Sequence, residues 1–375
     1  MYNICEDGAM KIKRIIISFF MLLAISILII LINFQDGDKN LEKLNYSDKV
    51  ISIFRDKDIY KDVLKANKYS KTLEVALTDN YYVSNYLDDY LEIDYVDNKD
   101  FILDVNALLD LGYSSNQVNT LFKSLSNDSV KLILKEGYNN DIFDYLKLSY
   151  FNENYLPRYI DYRKKHDNLI IEDVVTYVNV NLDYDFYTNT SLISNGNDML
   201  VLVNKYNYLD KDFVPSDLEL ISSNYSTKKL YLKDYAVNPF EEMCAEAMAL
   251  GITIKAGSTY RSYNYQNNLY NYYVKKDGVD KADSYSARPG YSEHQLGLAI
   301  DVSNGYDFID EGSDEYNYII NNSYKYGFVL RYPKGKENIT GYMFEPWHIR
   351  YLGVDTATYL HDHNLVYEEY IGKKN

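Results

Sequence analysis

The pattern of hydrophobic and polar positions divides the chain into three parts. An almost wholly apolar run covers 15–32, about 18 residues, which is long enough to cross a bilayer as a helix. A long stretch with few glycines or prolines follows and is predicted to be mainly helical. Short strand-like runs and helix-like runs share the last part of the chain. We therefore predict an anchor region at 1–35, a helical segment at 36–190 and a folded domain at 191–375.

Charges on either side of the apolar run predict its orientation. Basic residues precede it and acidic residues follow it: Lys11, Lys13 and Arg14, then Asp36 and Asp38. Positive charge stays in the cytoplasm, so we expect a single-pass anchor in the cell membrane with the remainder of the chain outside the cell. A cleaved signal peptide is the alternative, but no small-x-small cleavage site follows before Asn33. Translation starts at either Met1 or Met10.

A weak repeat runs through the helical segment. Each copy has a leucine, two spacers, a turn-forming Asn or Gly and a tyrosine, and a helix-like stretch follows. Short helices joined at such turns can stack as an array. Such an array is either a spacer that holds the last domain away from the membrane or a module that binds wall polymer or a partner protein. The copies are 77–81, 109–113 and 134–138, and the predicted helices are Val83–Leu91, Asn116–Leu125 and Asp141–Leu148.

Two strand-like runs bring polar side chains to one place. In 297–303, Leu298, Ile300 and Val302 share one face, and Asp301 lies on the other. His294 comes just before Gly297, where the backbone can turn and carry the imidazole back over the strand end. The second run, 347–352, places His348 and Arg350 on a common face. Pro346 keeps the preceding Glu345 extended and outside regular hydrogen bonding.

Two imidazoles, a carboxylate and a spare glutamate match a hydrolytic zinc site. A catalytic zinc ion takes three nitrogen or oxygen ligands from the protein and leaves one position for water. His294, Asp301 and His348 fill these places, and Glu345 is then free to accept a proton from the water. Manganese or iron also occupies similar sites. An iron oxygenase site needs a histidine and an acid one residue apart on a strand; the nearest match, 361–363, is interpreted as solvated surface.

A third segment belongs with this cleft. The stretch 258–266 follows a strand predicted at Ile252–Ala256 and precedes a helix-like run. Arg261 lies at this junction, where a guanidinium can hold a carboxylate through two hydrogen bonds or stabilise a developing oxyanion. A surface salt bridge is the alternative role for this arginine.

Taken together, the three segments resemble the VanY-type D-alanyl-D-alanine carboxypeptidases. This family belongs to a larger group that includes lysostaphin-like peptidases and the hedgehog signalling domain. The resemblance spans about 200–353 and depends on the order of all three motifs. It implies an α+β fold in which helices surround a small antiparallel sheet that carries Zn²⁺.

The resemblance also implies a role for each residue. It makes His294, Asp301 and His348 the zinc ligands, Glu345 the general base, and Arg261 the group that stabilises the substrate carbonyl or terminal carboxylate. Ser292 and Gln266 are expected to bind the substrate end. Leu296 stands where many relatives have a small polar residue, which alters the pocket wall but not the ligands.

Composition excludes some classes of function. The net charge is −16, with acidic residues spread along the chain, so the basic patch that a nucleic-acid-binding protein needs is missing. The two cysteines fall on opposite sides of the predicted membrane, so we expect no disulfide and interpret Cys244 as a small core residue.

The function we expect is removal of the terminal D-alanine from peptidoglycan stem peptides by a membrane-anchored bacterial zinc carboxypeptidase. An L,D-carboxypeptidase that acts on tetrapeptide stems is the nearest alternative. A zinc-bearing wall-binding domain without catalysis is another, since hedgehog-type members bind zinc without evident peptidase action.

Overall fold

The structure of the protein, a computed structural model, describes residues 3–374. Met1 lies outside the described residues, so the structure does not test whether translation starts at Met1 or at Met10. The chain forms two compact units, Met1–Asn140 and Asp141–Asn375. Their boundary falls inside the segment predicted at 36–190, and the three predicted regions stay predictions.

The described part of the first unit consists of helices and turns. A short 3-10 helix, Ser84–Tyr86, precedes the fifth α-helix. The α-helices are α1 Asn3–Lys43, α2 Asp48–Asp56, α3 Tyr60–Ala66, α4 Lys71–Thr78, α5 Leu87–Glu92, α6 Phe101–Asp110, α7 Ser115–Ser124 and α8 Asn127–Glu136.

Helix α1 extends beyond the apolar run. Its part Lys13–Lys43 is long and apolar enough to cross a membrane, a property that signal sequences share. The last turns of α1 pack within the first unit, where Leu41 is fully buried. The hydroxyl of Tyr60 donates a hydrogen bond to Asp38 at 2.7 Å, which ties α3 to α1. The helix therefore continues without a break from the apolar run into folded structure.

Local sequence explains where the short helices begin and end. A serine side chain accepts a backbone N–H in the first turn of α2, α4, α7 and α8, which are capped by Ser47, Ser70, Ser114 and Ser126. The turn residues of the repeat, Asn80, Gly112 and Gly137, all have positive φ, at 59°, 97° and 89°. The helix predicted at Val83–Leu91 begins later, because residues 84–86 form the 3-10 turn.

The second unit combines helices with short strands. Its α-helices are α9 Asp141–Tyr145, α10 Leu156–Lys165, α11 Ile171–Asn179, α12 Asp234–Ala249, α13 Tyr263–Asp277, α14 Val279–Tyr285, α15 Asp314–Asn322, α16 Glu337–Thr340, α17 Val354–His363 and α18 Tyr367–Gly372. Its strands are β1 Ser191–Leu192, β2 Asn207–Tyr208, β3 Leu218–Leu220, β4 Tyr231–Lys233, β5 Lys255–Ser258, β6 Ala299–Ser303, β7 Phe328–Leu330 and β8 His348–Tyr351. Three 3-10 helices are Glu153–Tyr155, Glu293–Leu296 and Ser323–Tyr326.

A four-stranded antiparallel sheet forms the centre of this unit. The strand order is β5-β6-β8-β7, and every neighbouring pair is antiparallel. The predicted mixture of helices with a small antiparallel sheet is therefore confirmed. Leu298, Ile300 and Val302 point into one apolar core together with residues of α12. That core includes Cys244, whose predicted core position is also confirmed.

The strand predicted at Ile252–Ala256 was placed too early. The observed strand β5 is Lys255–Ser258. The amide of Ile252 still bonds to the carbonyl of Ala247, so this residue belongs to the turn that ends α12. After a register shift between Ala256 and Ser258, the last residue of β5, Ser258, pairs with Asp301 of β6.

Candidate metal centre

Strand register places the first two polar groups side by side. Asp301 of β6 is the direct partner of His348 of β8 in the antiparallel ladder. Because side chains alternate along a strand, burying Ile300 and Val302 in the apolar core turns Asp301 to the opposite face. The Oδ1 atom of Asp301 lies 3.2 Å from Nδ1 of His348.

A tight turn brings His294 to the same point. The 3-10 turn Glu293–Leu296 ends at Gly297, whose φ is 71° and whose Cβ would lie 2.7 Å from a methyl of Leu218. Nδ1 of His294 donates to the carbonyl oxygen of Thr259 at 2.7 Å. A carbonyl only accepts, so this bond leaves the lone pair of Nε2 free. That Nε2 lies 3.3 Å from Oδ1 of Asp301.

These three side chains could hold a metal ion. His294, Asp301 and His348 are all buried, and one ligand atom from each lies within 4.8 Å of the others. Two ligands bound to zinc at about 2.0–2.1 Å in a tetrahedron are roughly 3.3 Å apart, which matches the two measured separations. Nε2 of His294 is buried and has no hydrogen-bond partner among the described residues. The donor set and its spacing therefore fit a tetrahedral zinc site with an open position.

The charges of the site reflect its burial. Burial and the nearby Arg261 together lower the pKa of His294 to about 4, although Asp301 opposes the shift, so this imidazole is neutral. Burial also opposes charge on His348, but the neighbouring carboxylates of Asp301 and Glu293 raise its pKa to about 9. The pKa of Asp301 lies well below its usual value because His294 and Arg261 outweigh its desolvation. A cation at this site must therefore displace a proton from His348.

Glu345 lies beside the three donors without being one of them. It is in the loop before β8, where its amide bonds to the carbonyl of Tyr332. Pro346 thus keeps it out of the strands but not out of all backbone hydrogen bonding. Oε2 of Glu345 is 3.6 Å from Nδ1 of His348, and the residue is only 7% exposed. Burial raises the pKa of Glu345 to about 7, although His348 opposes the shift.

Arg261 contacts the site through Asp301. It lies between β5 and α13, where its Nη2 donates to Oδ2 of Asp301 at 2.8 Å and its Nη1 donates to Gln266 at 3.0 Å. It does not form the exposed surface salt bridge that was the alternative, since both partners are largely buried. Nε of Arg261 has no hydrogen-bond partner among the described residues.

Every residue predicted for the site lines a single cleft of about 480 Å³. Ser292 and Gln266 are both buried there, and the amide of Gln266 donates to the carbonyl of Ala287 at 2.8 Å. Aromatic side chains form much of the remaining wall: Tyr265, Tyr273, Tyr285, Phe308, Tyr332, Tyr342 and Trp347. Leu296 is fully buried in the core and is not among the residues that line the cleft.

The structure also reveals polar groups that the sequence analysis did not assign. Glu293, between Ser292 and His294, is buried, and its Oε2 lies 3.5 Å from Nε2 of His348. Arg331 and Arg350 pair with it. An acidic residue inside the histidine motif was the available signal, but nothing nearby in the sequence indicated its partners.

The second histidine cluster lies elsewhere. His361, Asp362 and His363 end α17 and are exposed, as predicted for a solvated surface. Among the residues that the structure describes, only the group of His294, Asp301 and His348 has the geometry of a metal site.

The chain is similar in sequence to known proteins. Residues 229–354 match the family model of VanY, D-alanyl-D-alanine carboxypeptidase. The bifunctional D-Ala-D-Ala dipeptidase and D-Ala-D-Ala carboxypeptidase VanXYC of Enterococcus gallinarum is 33% identical over 178 residues, which cover 46% of this chain and 92% of that protein.

Two solved structures are also similar. The LD-carboxypeptidase LdcB is 37% identical, with a TM-score of 0.47 and coverage of 50% of this chain and 92% of that one. A mutant of the vancomycin resistance D,D-pentapeptidase VanY, solved in complex with Zn(II), is 31% identical, with a TM-score of 0.41 and coverage of 46% and 98%.

Proposed function

Since this chain belongs to the VanY family of D-alanyl-D-alanine carboxypeptidases, we propose that it removes the terminal D-alanine from peptidoglycan stem peptides in a zinc-dependent reaction. The observation that supports this most directly is the meeting of three buried donors, His294, Asp301 and His348, with Glu345 beside them and not among them. A site built only to bind zinc has no need of a buried carboxylate that is spare.

In this proposal Nε2 of His294, a carboxylate oxygen of Asp301 and Nδ1 of His348 hold the zinc ion. The similar VanY structure with Zn(II) agrees with the choice of metal. When bound, zinc polarises the scissile carbonyl and lowers the pKa of a water molecule.

The remaining groups act on protons and charge. Glu345, with a pKa near 7, accepts the proton of the attacking water and delivers it to the leaving D-amino acid. Arg261, whose Nη2 contacts Asp301, lies where it can stabilise negative charge on the substrate carbonyl or its terminal carboxylate. Ser292 and Gln266, in the same cleft, hydrogen-bond the substrate end.

Location completes the proposal. Helix α1 anchors the chain in a bacterial cell membrane as a single span, and the catalytic domain at 191–375 lies outside the cell, where stem peptides are found. The helical segment at 36–190 then holds the catalytic domain away from the membrane or binds wall polymer.

Mass spectrometry of muropeptides tests the activity. Full-length protein in detergent with zinc is incubated with purified pentapeptide and tetrapeptide muropeptides. We expect pentapeptide to lose one alanine while tetrapeptide is unchanged. Loss from tetrapeptide alone would instead identify an L,D-carboxypeptidase. If neither substrate changes while zinc is bound, the proposed hydrolysis is wrong and the site only binds metal.

A further inference from the structure

Four charged side chains form a continuous network of ion pairs behind the candidate metal centre. Glu293, Arg331, Arg350 and Glu368 are each at most 1% exposed. One oxygen of Glu293, Oε1, accepts from Nε of Arg331 at 2.9 Å and from Nη1 of Arg350 at 3.0 Å. Arg331 then forks onto both oxygens of Glu368, at 2.8 and 2.7 Å. Two positive and two negative charges are thus balanced out of contact with water.

Stability alone does not account for such a network. Removing a charge from water costs several kcal/mol per ion, and buried ion pairs are often no better for stability than apolar side chains of the same volume. The network also spans distant parts of the sequence, with Glu293 beside His294, Arg331 directly after β7 and Glu368 in α18. A role in positioning explains why these groups are charged.

The end of the network that faces the metal centre is the back of His348. While Oε1 of Glu293 holds both arginines, Oε2 lies 3.5 Å from Nε2 of His348. Neither of these two atoms has a hydrogen-bond partner among the described residues. On the other side of the ring, Nδ1 faces Asp301 at 3.2 Å. A carboxylate behind an imidazole fixes which nitrogen keeps the proton and orients the ring toward a metal.

The far end of the network belongs to the C-terminal helix. Glu368 lies in α18, which follows the region 229–354 that matches the family model. The same helix supplies Tyr367, whose ring stacks against the guanidinium groups of Arg331 and Arg350 at 5.7 and 5.8 Å. Helix α18 therefore contributes a charge and an aromatic face to the two arginines that hold Glu293.

We infer that Glu293 is a positioning residue for His348 as a metal ligand, and that Glu368 of the C-terminal helix keeps Glu293 in that position through Arg331. Without Glu368, Glu293 is the one carboxylate of this network that remains to pair with Arg331. Arg331 would then draw both oxygens of Glu293 toward itself and away from Nε2 of His348. This inference rests on the proposed metal site, but its test does not need peptidase activity.

Metal binding by Glu368→Gln tests the relay. Full-length protein in detergent is titrated with zinc against a chromophoric chelator, and the visible absorption of its Co²⁺ form is recorded. We expect Glu293→Gln to weaken zinc binding by about 10–100-fold, the usual effect of losing a carboxylate behind a metal-bound histidine. Glu368→Gln should weaken it in the same direction and alter the Co²⁺ absorption bands.

A matched control comes from the same helix. Glu369 pairs with Lys336 at 2.8 Å and takes no part in the network, so Glu369→Gln should leave zinc affinity and the Co²⁺ spectrum unchanged. Arg331→Lys keeps the positive charge but loses the planar fork that holds both oxygens of Glu368 while Nε holds Glu293, and it provides the same test if removal of a buried charge prevents folding. Wild-type affinity and spectrum in Glu368→Gln, or in Arg331→Lys if Glu368→Gln does not fold, would overturn the relay.

A double-variant cycle separates positioning from general destabilisation. If Glu368 acts only through Glu293, Glu368→Gln should weaken zinc binding little further when Glu293→Gln is already present. Equal losses of zinc affinity in both backgrounds would contradict the inference. A protein that binds zinc with this pattern but hydrolyses no muropeptide would refute the proposed function and leave the relay intact.

Discussion

The two compact units bury different chemistry. Among the described residues up to 140, the buried polar side chains are few: Ser70, Thr72, Asp104 and Ser129. The second unit buries charged groups around its sheet, including Lys233, Glu293, Asp301, Arg331, Glu345, Arg350 and Glu368. The helical unit is therefore held by apolar packing and helix caps, while the second unit buries charges at a cost in free energy that apolar side chains would avoid.

This difference defines what substitutions in each unit should do. A change in the helical unit should alter its stability and leave metal binding and catalysis alone. A change in the charged centre should alter the chemistry and can even raise stability. The single tryptophan, Trp347, lies in the second unit, so its fluorescence follows that unit, whereas far-UV circular dichroism also follows the helices of the first.

The largest effect is expected at Glu345. We expect Glu345→Gln to lower kcat for D-alanine release by roughly 10²–10⁴-fold, the usual contribution of a general acid–base group. Zinc affinity should stay close to that of the native protein, because Glu345 is not one of the three donors. Release of D-alanine and zinc titration are measured together. Glu311→Gln, an exposed glutamate paired with Lys334, is the control. Full activity in Glu345→Gln would remove this residue as the base.

Truncating a buried apolar side chain in the first unit should have an effect of comparable free energy, but on stability and not on catalysis. Phe101 is 1% exposed, and Phe101→Ala should lower the free energy of unfolding by about 3–5 kcal/mol. We expect the circular dichroism transition to move to lower denaturant while the Trp347 transition and zinc affinity do not change. Equal shifts in both transitions would show that the units unfold together and would break the comparison.

The charged centre should also show a trade between stability and function. Burial raises the pKa of Glu345 to about 7 in the folded protein. The folded protein is therefore less stable once the pH rises above 7, because Glu345 must then carry a buried charge. Glu345→Gln should therefore stabilise the metal-free protein at pH 8 by up to about 3 kcal/mol, because the pKa of about 7 lies above the ordinary pKa of a glutamate. The gain should vanish below pH 4, where glutamate is protonated in both states. Trp347 fluorescence during denaturation at both pH values measures it, and an equal gain at both would contradict this origin.

The comparison also explains what could be predicted from the sequence. Helix caps and positive-φ turns depend on neighbouring residues, so the turns at Asn80, Gly112 and Gly137 were found from the repeat alone. The alternation of side chains along β6 and β8 was enough to predict that Asp301 and His348 share a face. Only the register that makes them direct partners had to come from the structure. The start of β5 was misjudged because Ile252, although apolar, completes a turn.

The charged network was beyond such local rules. Whether Glu293 points to solvent or to the core depends on Arg331 and Arg350, which are 38 and 57 residues away. The place of Glu368 depends in turn on how α18 packs after the last strand. A buried ion network is a property of tertiary packing, and a single sequence shows only that its members are charged.

The smallest effect that still separates the units is the loss of one helix cap. Ser114 caps the start of α7 in a capping box with Gln117, whose side chain accepts a hydrogen bond from the amide of Ser114 at 2.9 Å. Ser114→Ala should lower the free energy of unfolding by about 1 kcal/mol. Ser124→Ala, the same change at the exposed end of this helix, should have little effect, because alanine favours helix. Both are followed by circular dichroism. If Ser114→Ala also weakened zinc binding, a local cap in the first unit would be affecting the metal centre of the second, and the separation of the two chemistries would fail.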